Sequence, residues 1–237
     1  MSLRGAVARP RALLLDLDGT LVDSEPIHRA GFERWFAHRG WALDREVASL
    51  FTGRRADDVF RTVDGPWSGG DPTEMFHEIV AMVPRDRLPD AVPGAVASIE
   101  RALAAGIPLA LVTSAGVRWA DKALAALGGI DRFDVVVTRD DVTVGKPDPS
   151  GYALACERLG VDAGRALACE DAPQGVVAAV AAGVGHVVGV TTSFSQQVLR
   201  DSGAHATMRD LTGIPNLLGP DHLNETTPDP QATTSRE

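Results

Sequence analysis

Lysine is scarce in this chain, because Lys122 and Lys146 are the only lysines among 23 basic residues. Acidic residues number 32, so the formal net charge is -9. A nucleic-acid backbone would be repelled by this charge, and the composition therefore argues against a nucleic-acid partner. A small anionic ligand is not excluded, because local arginines and a metal ion reverse the field at a single site.

Long hydrophobic runs are also missing. The most apolar stretch, residues 175–190, is rich in Ala and Gly, is interrupted by His186, and lacks the character of a membrane span. The short apolar run near the N-terminus is followed at once by two aspartates, where a signal peptide would have a small-residue cleavage site. We therefore expect a cytoplasmic protein with no membrane partner. Its two cysteines fall in core patterns and agree with a reducing compartment.

Short apolar runs closed by turn signals predict buried strands of a parallel sheet. They are residues 11–16, 108–113, 133–137, 166–169 and 186–190. Helical patterns lie between them, at residues 94–105, 117–127, 150–159 and 173–182. Strands that alternate with helices predict right-handed crossovers, and hence an α/β fold with a doubly wound parallel sheet.

One stretch breaks this alternation. Residues 24–91 contain helical patterns at 26–39, 44–51, 56–63 and 73–83, without a convincing strand. We expect this block to be an all-helical cap domain, inserted into an α/β core domain that comprises residues 11–23 and 92–219. Residues 220–237 are polar and lack apolar periodicity, which predicts a disordered C-terminal tail. Because no long exposed apolar seam is present, we expect a monomer.

Polar residues follow four of the predicted strands at their carboxyl ends. These residues are Asp16 and Asp18, then Thr113 and Ser114, then Lys146, and finally Glu170 and Asp171. Sites in open parallel sheets form beyond the carboxyl ends of the strands, so we expect these side chains to meet at one edge. Taken singly, each has an ordinary explanation as a turn residue, a helix N-cap or a solvated lysine. Their convergence from four segments favours a shared site.

The segments DLDGTLVDSE, LVTSAG, GKPDP and CEDAPQG resemble, in order and spacing, the four motifs of the haloacid dehalogenase superfamily. The resemblance extends from Arg11 to about Gly213 and implies a Rossmann-like core. The helical insertion is similar to the C1-type cap of the subgroup that includes sugar phosphatases, polyol phosphatases and β-phosphoglucomutase. The resemblance therefore implies a phosphatase that acts on a small phosphorylated metabolite.

The resemblance also implies a role for each acidic residue. Asp16 would be the nucleophile that becomes phosphorylated, and Asp18 the general acid/base; dehalogenases of the superfamily lack the second of these. Mg²⁺ would be held by Asp16, Asp171 and the backbone carbonyl of Asp18, in keeping with its preference for carboxylates, phosphate oxygens and waters. Glu170 is either a further metal ligand or, as we prefer, a residue that acts through water or a neighbouring ligand.

Phosphate binding is assigned to Thr113, Ser114 and Lys146. A dianionic phosphate beside two carboxylates exceeds the charge of one divalent ion, so a fixed cation is needed and Lys146 supplies it. The Thr113 hydroxyl and the amides that follow it suit the non-bridging phosphate oxygens.

Three residues of the predicted cap are candidates for substrate contact. His28 falls where related mutases place a histidine facing the site, although a histidine near a helix start is commonly just a partly exposed polar residue. Arg54 or Arg55 would direct a guanidinium at the substrate, or both would be solvated charges beside a helix. The sequence leaves these choices open.

Hydrolysis is the main prediction, and two alternatives stay open. The first is a phosphomutase of the β-phosphoglucomutase type, which uses a cap lysine; the predicted cap here contains none. The same lack excludes the phosphonate-cleaving members, which form a Schiff base through a cap lysine. The second is a catalytically silent metabolite-binding regulator, which is disfavoured because all four motifs keep their chemical residues.

Overall fold

A computed structural model describes residues 9–51, 54–84 and 86–219; the predicted tail, residues 220–237, lies outside the described residues. The strands are β1 (Ala12–Leu15), β2 (Val22–Asp23), β3 (Asp90–Ala91), β4 (Leu109–Val112), β5 (Val135–Val137), β6 (Ala166–Glu170), β7 (His186–Val190) and β8 (Ala206–Met208). Six of them form one parallel sheet in the order β5-β4-β1-β6-β7-β8. The doubly wound α/β fold that the alternation predicts is therefore confirmed.

Several helices begin with an early proline or end at a glycine. They are α1 (Glu25–Arg39), α2 (Arg45–Ser49), α3 (Ala56–Thr62), α4 (Pro72–Met82), α5 (Ala95–Ala104), α6 (Val117–Leu124), α7 (Ser150–Leu159), α8 (Pro173–Ala181), α9 (Gln196–Asp201) and α10 (Ile214–Leu217). Gly40 and Gly160 end α1 and α7 with φ values of 70° and 66°, in the left-handed region that glycine adopts without strain. No helix in the described ranges has both the length and the apolar character needed to cross a bilayer.

The central strand β1 is buried on both faces, which explains its unbroken apolar run. Leu13 and Leu15 face a core formed with α5 and α6, whereas Ala12 and Leu14 face a second core formed with α7 and α8. Since successive side chains of a strand point to opposite faces, a four-residue run supplies both cores. This packing fixes the end of β1, and therefore the position of Asp16.

Helices α1 to α4 enclose a separate aromatic core. It contains Trp35, Phe36, Phe51, Phe60 and Trp67, each at most 9% exposed. The chain enters this helical block next to β2 and leaves it next to β3. These two short strands pair antiparallel, with Val22 opposite Ala91 and Asp23 opposite Asp90. The two crossing segments are thus held side by side, just beyond the loop that follows β1.

Candidate active site

The carboxyl ends of β4, β1 and β6 are neighbours at the centre of the sheet. Leu15 of β1 lies opposite Leu111 on one side and Cys169 on the other. The residues that follow, including Asp16 and Glu170, are therefore brought to one edge. Asp16, Glu170 and Asp171 are all at most 6% exposed.

A buried lysine links two of the carboxylates. Lys146 Nζ donates hydrogen bonds to Asp16 Oδ1 at 2.6 Å, to Glu170 Oε1 at 2.5 Å and to the Val112 carbonyl at 3.0 Å. The Tyr152 hydroxyl also donates to Glu170 Oε1, at 2.6 Å. A buried charge is tolerated when it is paired and its hydrogen-bonding capacity is used, and the three protons of the Lys146 ammonium are all accepted here.

The carboxylates fit a hard divalent cation. Ligand oxygens of Asp16, Glu170 and Asp171 all lie within 4.8 Å of one another. Lys146 contacts two of these three carboxylates and is the one cation bonded to them among the described residues, so the cluster has the oxygen donors that Mg²⁺ prefers and more acidic than basic groups. Glu170 already accepts hydrogen bonds from Lys146 and Tyr152, which leaves it less available than the two aspartates. The Asp18 carboxylate is not part of this group among the described residues.

Electrostatics in the cluster oppose ionisation of the aspartates. Burial, followed by repulsion from Glu170, raises the pKa of Asp16 well above its usual range, against the opposing effect of Lys146. The same two causes raise the pKa of Asp171 to about 7. Burial opposes the charge on Lys146, but Asp16 and Glu170 raise the pKa of Lys146 overall. A bound cation would relieve the repulsion between the carboxylates.

Metal affinity is expected to depend on pH through Asp171. Below its pKa of about 7 a cation must displace a proton, so Mg²⁺ affinity rises with pH up to that value. The gain is up to about tenfold per pH unit for each proton displaced. Calorimetric titration in two buffers of different ionisation enthalpy should show more proton release at pH 6 than at pH 8.

The stability of the metal-free chain supplies the complementary test. The usual pKa of an aspartate is 3.8, so up to about pH 7 the folded chain binds more protons at Asp171 than the unfolded chain does. Its free energy of unfolding should therefore fall as pH rises through this interval, and Mg²⁺ should restore it. In the calorimetric titrations, equal proton release at pH 6 and pH 8 would contradict the assignment of Asp171 as a metal ligand.

Asp18 lies beside the cluster in a different environment. Its side chain is 30% exposed, and Oδ1 accepts a hydrogen bond from Trp119 Nε1 at 2.8 Å. His28 Nε2 lies 3.4 Å from the same oxygen, and the His28 and Trp119 rings meet edge to face at 4.7 Å. Burial works against ionisation, but His28, followed by hydrogen bonds from Ser24 and Trp119, lowers the pKa of Asp18. The structure thus places His28 against Asp18.

The predicted phosphate-binding residues line a small cavity. Thr113, Ser114 and Lys146 contribute to its wall, together with Arg55. Thr113 Oγ1 accepts a hydrogen bond from the Ala115 amide at 3.0 Å, and the N-cap of α6 is Gly116. The hydroxyl residues therefore do not cap α6.

The two cap arginines have different positions. Arg54 donates to the Thr62 hydroxyl at 3.1 Å, within the helical block. Arg55 is 7% exposed and crosses to the sheet-bearing part of the chain, where its Nη2 donates to the carbonyls of Arg139 at 2.7 Å and Val142 at 3.2 Å. Its buried Nε has no hydrogen-bond partner among the described residues. Of the two, Arg55 is the one that borders the phosphate-binding residues.

Arg139 makes further contacts between the helical block and the sheet-bearing part of the chain. Its Nη2 donates to Asp57 Oδ2 at 2.9 Å, and its guanidinium carbon lies 4.0 Å from the centroid of the Phe76 ring. Its backbone amide donates to the Ala115 carbonyl in the loop after β4. The helical block is therefore tied to the loops that carry the phosphate-binding residues.

Several residues at the site are not predicted from the sequence. They are Trp119, Arg139, Tyr152 and Ser193. The Ser193 hydroxyl donates to Asp171 Oδ2, and the Thr192 hydroxyl donates to the Gly19 carbonyl at 2.5 Å. The sequence offers one indication of Tyr152, because it is the only tyrosine of the chain and lies shortly after the GKPDP segment.

Gly19 explains why glycine follows the second aspartate. Its φ is 82°, and a Cβ at this position would overlap the Asp171 carboxylate and approach the Ser193 hydroxyl. A side chain here would therefore displace the carboxylate from the cluster, in addition to straining the backbone.

Comparisons with known proteins agree with this geometry. The model of the haloacid dehalogenase-like hydrolases matches residues 10–183. Validoxylamine A 7'-phosphate phosphatase of Streptomyces hygroscopicus subsp. limoneus is 36% identical over 206 residues, which cover 86% of this chain and 95% of that protein. Hexitol phosphatase A of Escherichia coli (strain K12) is 34% identical over 184 residues, which cover 77% of this chain and 83% of that protein.

A solved structure leads to the same assignment. A candidate β-phosphoglucomutase from Bacteroides vulgatus matches with a TM-score of 0.77 and 28% identity, over 89% of this chain and 88% of that one. The resemblance that the four motifs indicate is thus confirmed. The chain belongs to the haloacid dehalogenase-like hydrolase family.

Proposed function

We propose that the protein is a Mg²⁺-dependent phosphatase that hydrolyses a sugar or polyol phosphate through an aspartyl-phosphate intermediate on Asp16. The observation that carries the proposal is the buried cluster in which Lys146 holds Asp16 at 2.6 Å, beside the carboxylates of Glu170 and Asp171. Both curated relatives are phosphatases by name, one of validoxylamine A 7'-phosphate and one of hexitol phosphates.

Metal binding would fall to Asp16 and Asp171, with the backbone carbonyl of Asp18 as a further ligand. The bound ion would neutralise charge on the phosphate oxygens as the carboxylate approaches. Glu170 would act indirectly, by holding Lys146 in place. Ser193 would orient Asp171 through its hydrogen bond.

In the first half-reaction, an Asp16 carboxylate oxygen attacks phosphorus while the bond to the leaving alcohol breaks. Lys146, Thr113 and Ser114 bind the non-bridging phosphate oxygens. The bound phosphate, as a neighbouring anion, would oppose the lowering of the Asp18 pKa by His28, so that Asp18 carries a proton when substrate is bound. Asp18 gives this proton to the departing oxygen, and the alcohol leaves neutral. The products of this step are aspartyl phosphate and the free sugar or polyol.

In the second half-reaction, Asp18 acts as a base. It takes a proton from the water that attacks the phosphorus of the aspartyl phosphate. The bond to Asp16 breaks, inorganic phosphate is released, and both aspartates return to their starting states. A single residue thus serves as acid and then as base, which requires that its carboxyl group stays in one position.

The cap domain predicted from the sequence would enclose the site at which this chemistry takes place. We place the boundary at the β2-β3 pair and assign residues 24–91 to the cap. Contacts of Arg55 and Asp57 with the Arg139 segment support a cap that closes over the core edge. Closure would exclude bulk water during phosphoryl transfer and restrict the substrate to a small molecule.

The two neighbouring arginines provide a matched test of the substrate contact. Arg55→Ala should raise KM about tenfold or more, because a hydrogen bond to a charged group contributes about 1.5–3 kcal/mol. Arg54→Ala removes the same charge one residue away and should leave KM within about twofold. Steady-state kinetics on the preferred substrate decides between them, and a larger effect of Arg54→Ala would contradict the assignment.

The activity is tested by phosphate release from a panel of sugar, polyol and short organic-acid phosphates. The panel includes validoxylamine A 7'-phosphate, and each assay is run with Mg²⁺ and with EDTA. Selective release that EDTA abolishes is expected. Release that is unaffected by EDTA would contradict the metal-dependent mechanism.

The mutase alternative is tested in the same panel. A candidate β-phosphoglucomutase is among the solved relatives, but the predicted cap of this chain contains no lysine. β-Glucose 1,6-bisphosphate should therefore not be needed for activity. An isomerised product that forms only with this bisphosphate, without phosphate release, would establish the mutase instead. The cytoplasmic location, the monomeric state and the lack of a nucleic-acid partner stay predictions.

A further inference from the structure

The acid/base residue is held by a side chain that none of the four sequence motifs contains. Trp119 lies in the first turn of α6, and its Nε1 donates to Asp18 Oδ1 at 2.8 Å. The two residues are 101 positions apart in the chain. The hydrogen bond therefore joins the helix after β4 to the loop after β1, across the edge where the reaction takes place.

We propose that Trp119 is a positioning residue for general acid catalysis, which holds Asp18 Oδ1 so that Oδ2 faces the leaving alcohol. The proposal rests on the proposed function. An indole N–H is a donor only, so it can fix one carboxylate oxygen but cannot exchange protons with it.

Two neighbouring side chains contact the Trp119 ring. The His28 ring meets it edge to face, with an interplanar angle of 82°, and Lys122 Nζ lies 5.7 Å from its centroid. Trp119 also packs against the core cluster on the α5–α6 side of the sheet. A donor whose ring is fixed in this way restricts the direction of its N–H, and therefore the orientation of the carboxylate.

The remaining partners of Asp18 come from the other side of the site. Ser24 and His28 belong to the start of the predicted cap, whereas Trp119 belongs to the core. If the cap moves between turnovers, Ser24 and His28 move with it. Trp119 also packs against the core, so it is the partner that would stay with Asp18.

The test uses the leaving-group dependence of kcat/KM, which covers the steps up to release of the alcohol. An alkyl phosphate needs general acid catalysis because an alkoxide is a poor leaving group, whereas p-nitrophenolate leaves with little protonation. Trp119→Phe keeps the ring and removes the N–H. For the best alkyl phosphate of the panel, kcat/KM should fall about 10-fold to 100-fold, and for p-nitrophenyl phosphate less than about threefold.

Trp67→Phe is the matched control. Its Nε1 donates to the Val63 carbonyl at 2.8 Å in the aromatic core of the helical block. This variant loses the same kind of bond without contact with Asp18, and the ratio of the two kcat/KM values should equal that of the unmodified enzyme. Thermal unfolding of both variants reports the structural cost separately.

The outcomes are distinguishable. If Trp119→Phe lowers both kcat/KM values by the same factor, Trp119 has only a structural role and the inference is overturned, while the proposed function stands. If the unmodified enzyme releases phosphate from neither substrate nor from the panel, the proposed function itself fails, and the inference fails with it. A loss confined to the alkyl phosphate supports the positioning role.

Discussion

Asp16→Asn should abolish phosphate release, with kcat falling by about 10⁴-fold or more. The amide oxygen is a poor nucleophile, yet the side chain keeps its shape and its oxygen still accepts a hydrogen bond from Lys146. Burial and Glu170 raise the pKa of Asp16, which means that the ionised carboxylate costs stability at neutral pH. A neutral amide avoids that cost, so the metal-free variant should unfold at the same temperature as the unmodified chain or above it.

Asp131→Asn is the control for this change. Asp131 is an exposed residue in a short helical turn between α6 and β5, outside the described cluster. The Asp131→Asn variant should have a kcat within about twofold of that of the unmodified enzyme. Retention of more than about a hundredth of the activity by Asp16→Asn would overturn the nucleophile assignment.

Lys146→Met should lower both stability and turnover. The lysine side chain is 7% exposed and neutralises Asp16 and Glu170, whose side chains are 9% and 1% exposed. Removing one partner of a buried ion pair costs about 3–5 kcal/mol, and kcat should fall by about 10²-fold to 10³-fold because the phosphate loses its fixed cation. The carboxylates escape part of the penalty by protonation, so the loss of stability should be larger at pH 8 than at pH 5.

Lys122→Met is the matched control, since it removes the only other lysine. This residue lies on α6, 5.7 Å from the centroid of the Trp119 ring, so the variant is a control for stability alone. Its loss should change the free energy of unfolding by less than about 1 kcal/mol. Urea unfolding in EDTA at both pH values measures the difference. Equal stability of the two variants would show that the buried lysine does not balance the carboxylates.

The sequence indicates the sheet because its strands are buried on both faces. All of the predicted strands are present, and α7 spans Ser150–Leu159 as its pattern and the following Gly160 predict. The strand Ala206–Met208 is not predicted, because this short edge segment is flanked by His and Arg and has no apolar run. The pair β2-β3 has two residues in each strand, which is too short for any periodic signal.

The site residues also fall into two groups, those that the sequence indicates and those that it does not. Residues that follow a strand directly, such as Asp16 after β1 and Asp171 after β6, are marked by the end of an apolar run. Trp119 contacts Asp18 and Ser193 contacts Asp171 across 101 and 22 positions of the chain, and no local pattern encodes such distances. The sequence also does not tell the two neighbouring arginines apart. In the structure, Arg55 donates to a carbonyl of the core, whereas Arg54 donates to Thr62 within the helical block.

The central claim is that Asp16 carries the phosphoryl group, and chemical trapping tests it most directly. The variant Asp18→Ala, incubated with Mg²⁺ and p-nitrophenyl phosphate, should form the intermediate and hydrolyse it slowly, because its base is missing. Acid quenching, borohydride reduction and peptide mass spectrometry should then find homoserine in place of Asp16. An unmodified Asp16 after a full burst of p-nitrophenol, or a reduced acidic residue elsewhere, would contradict the account.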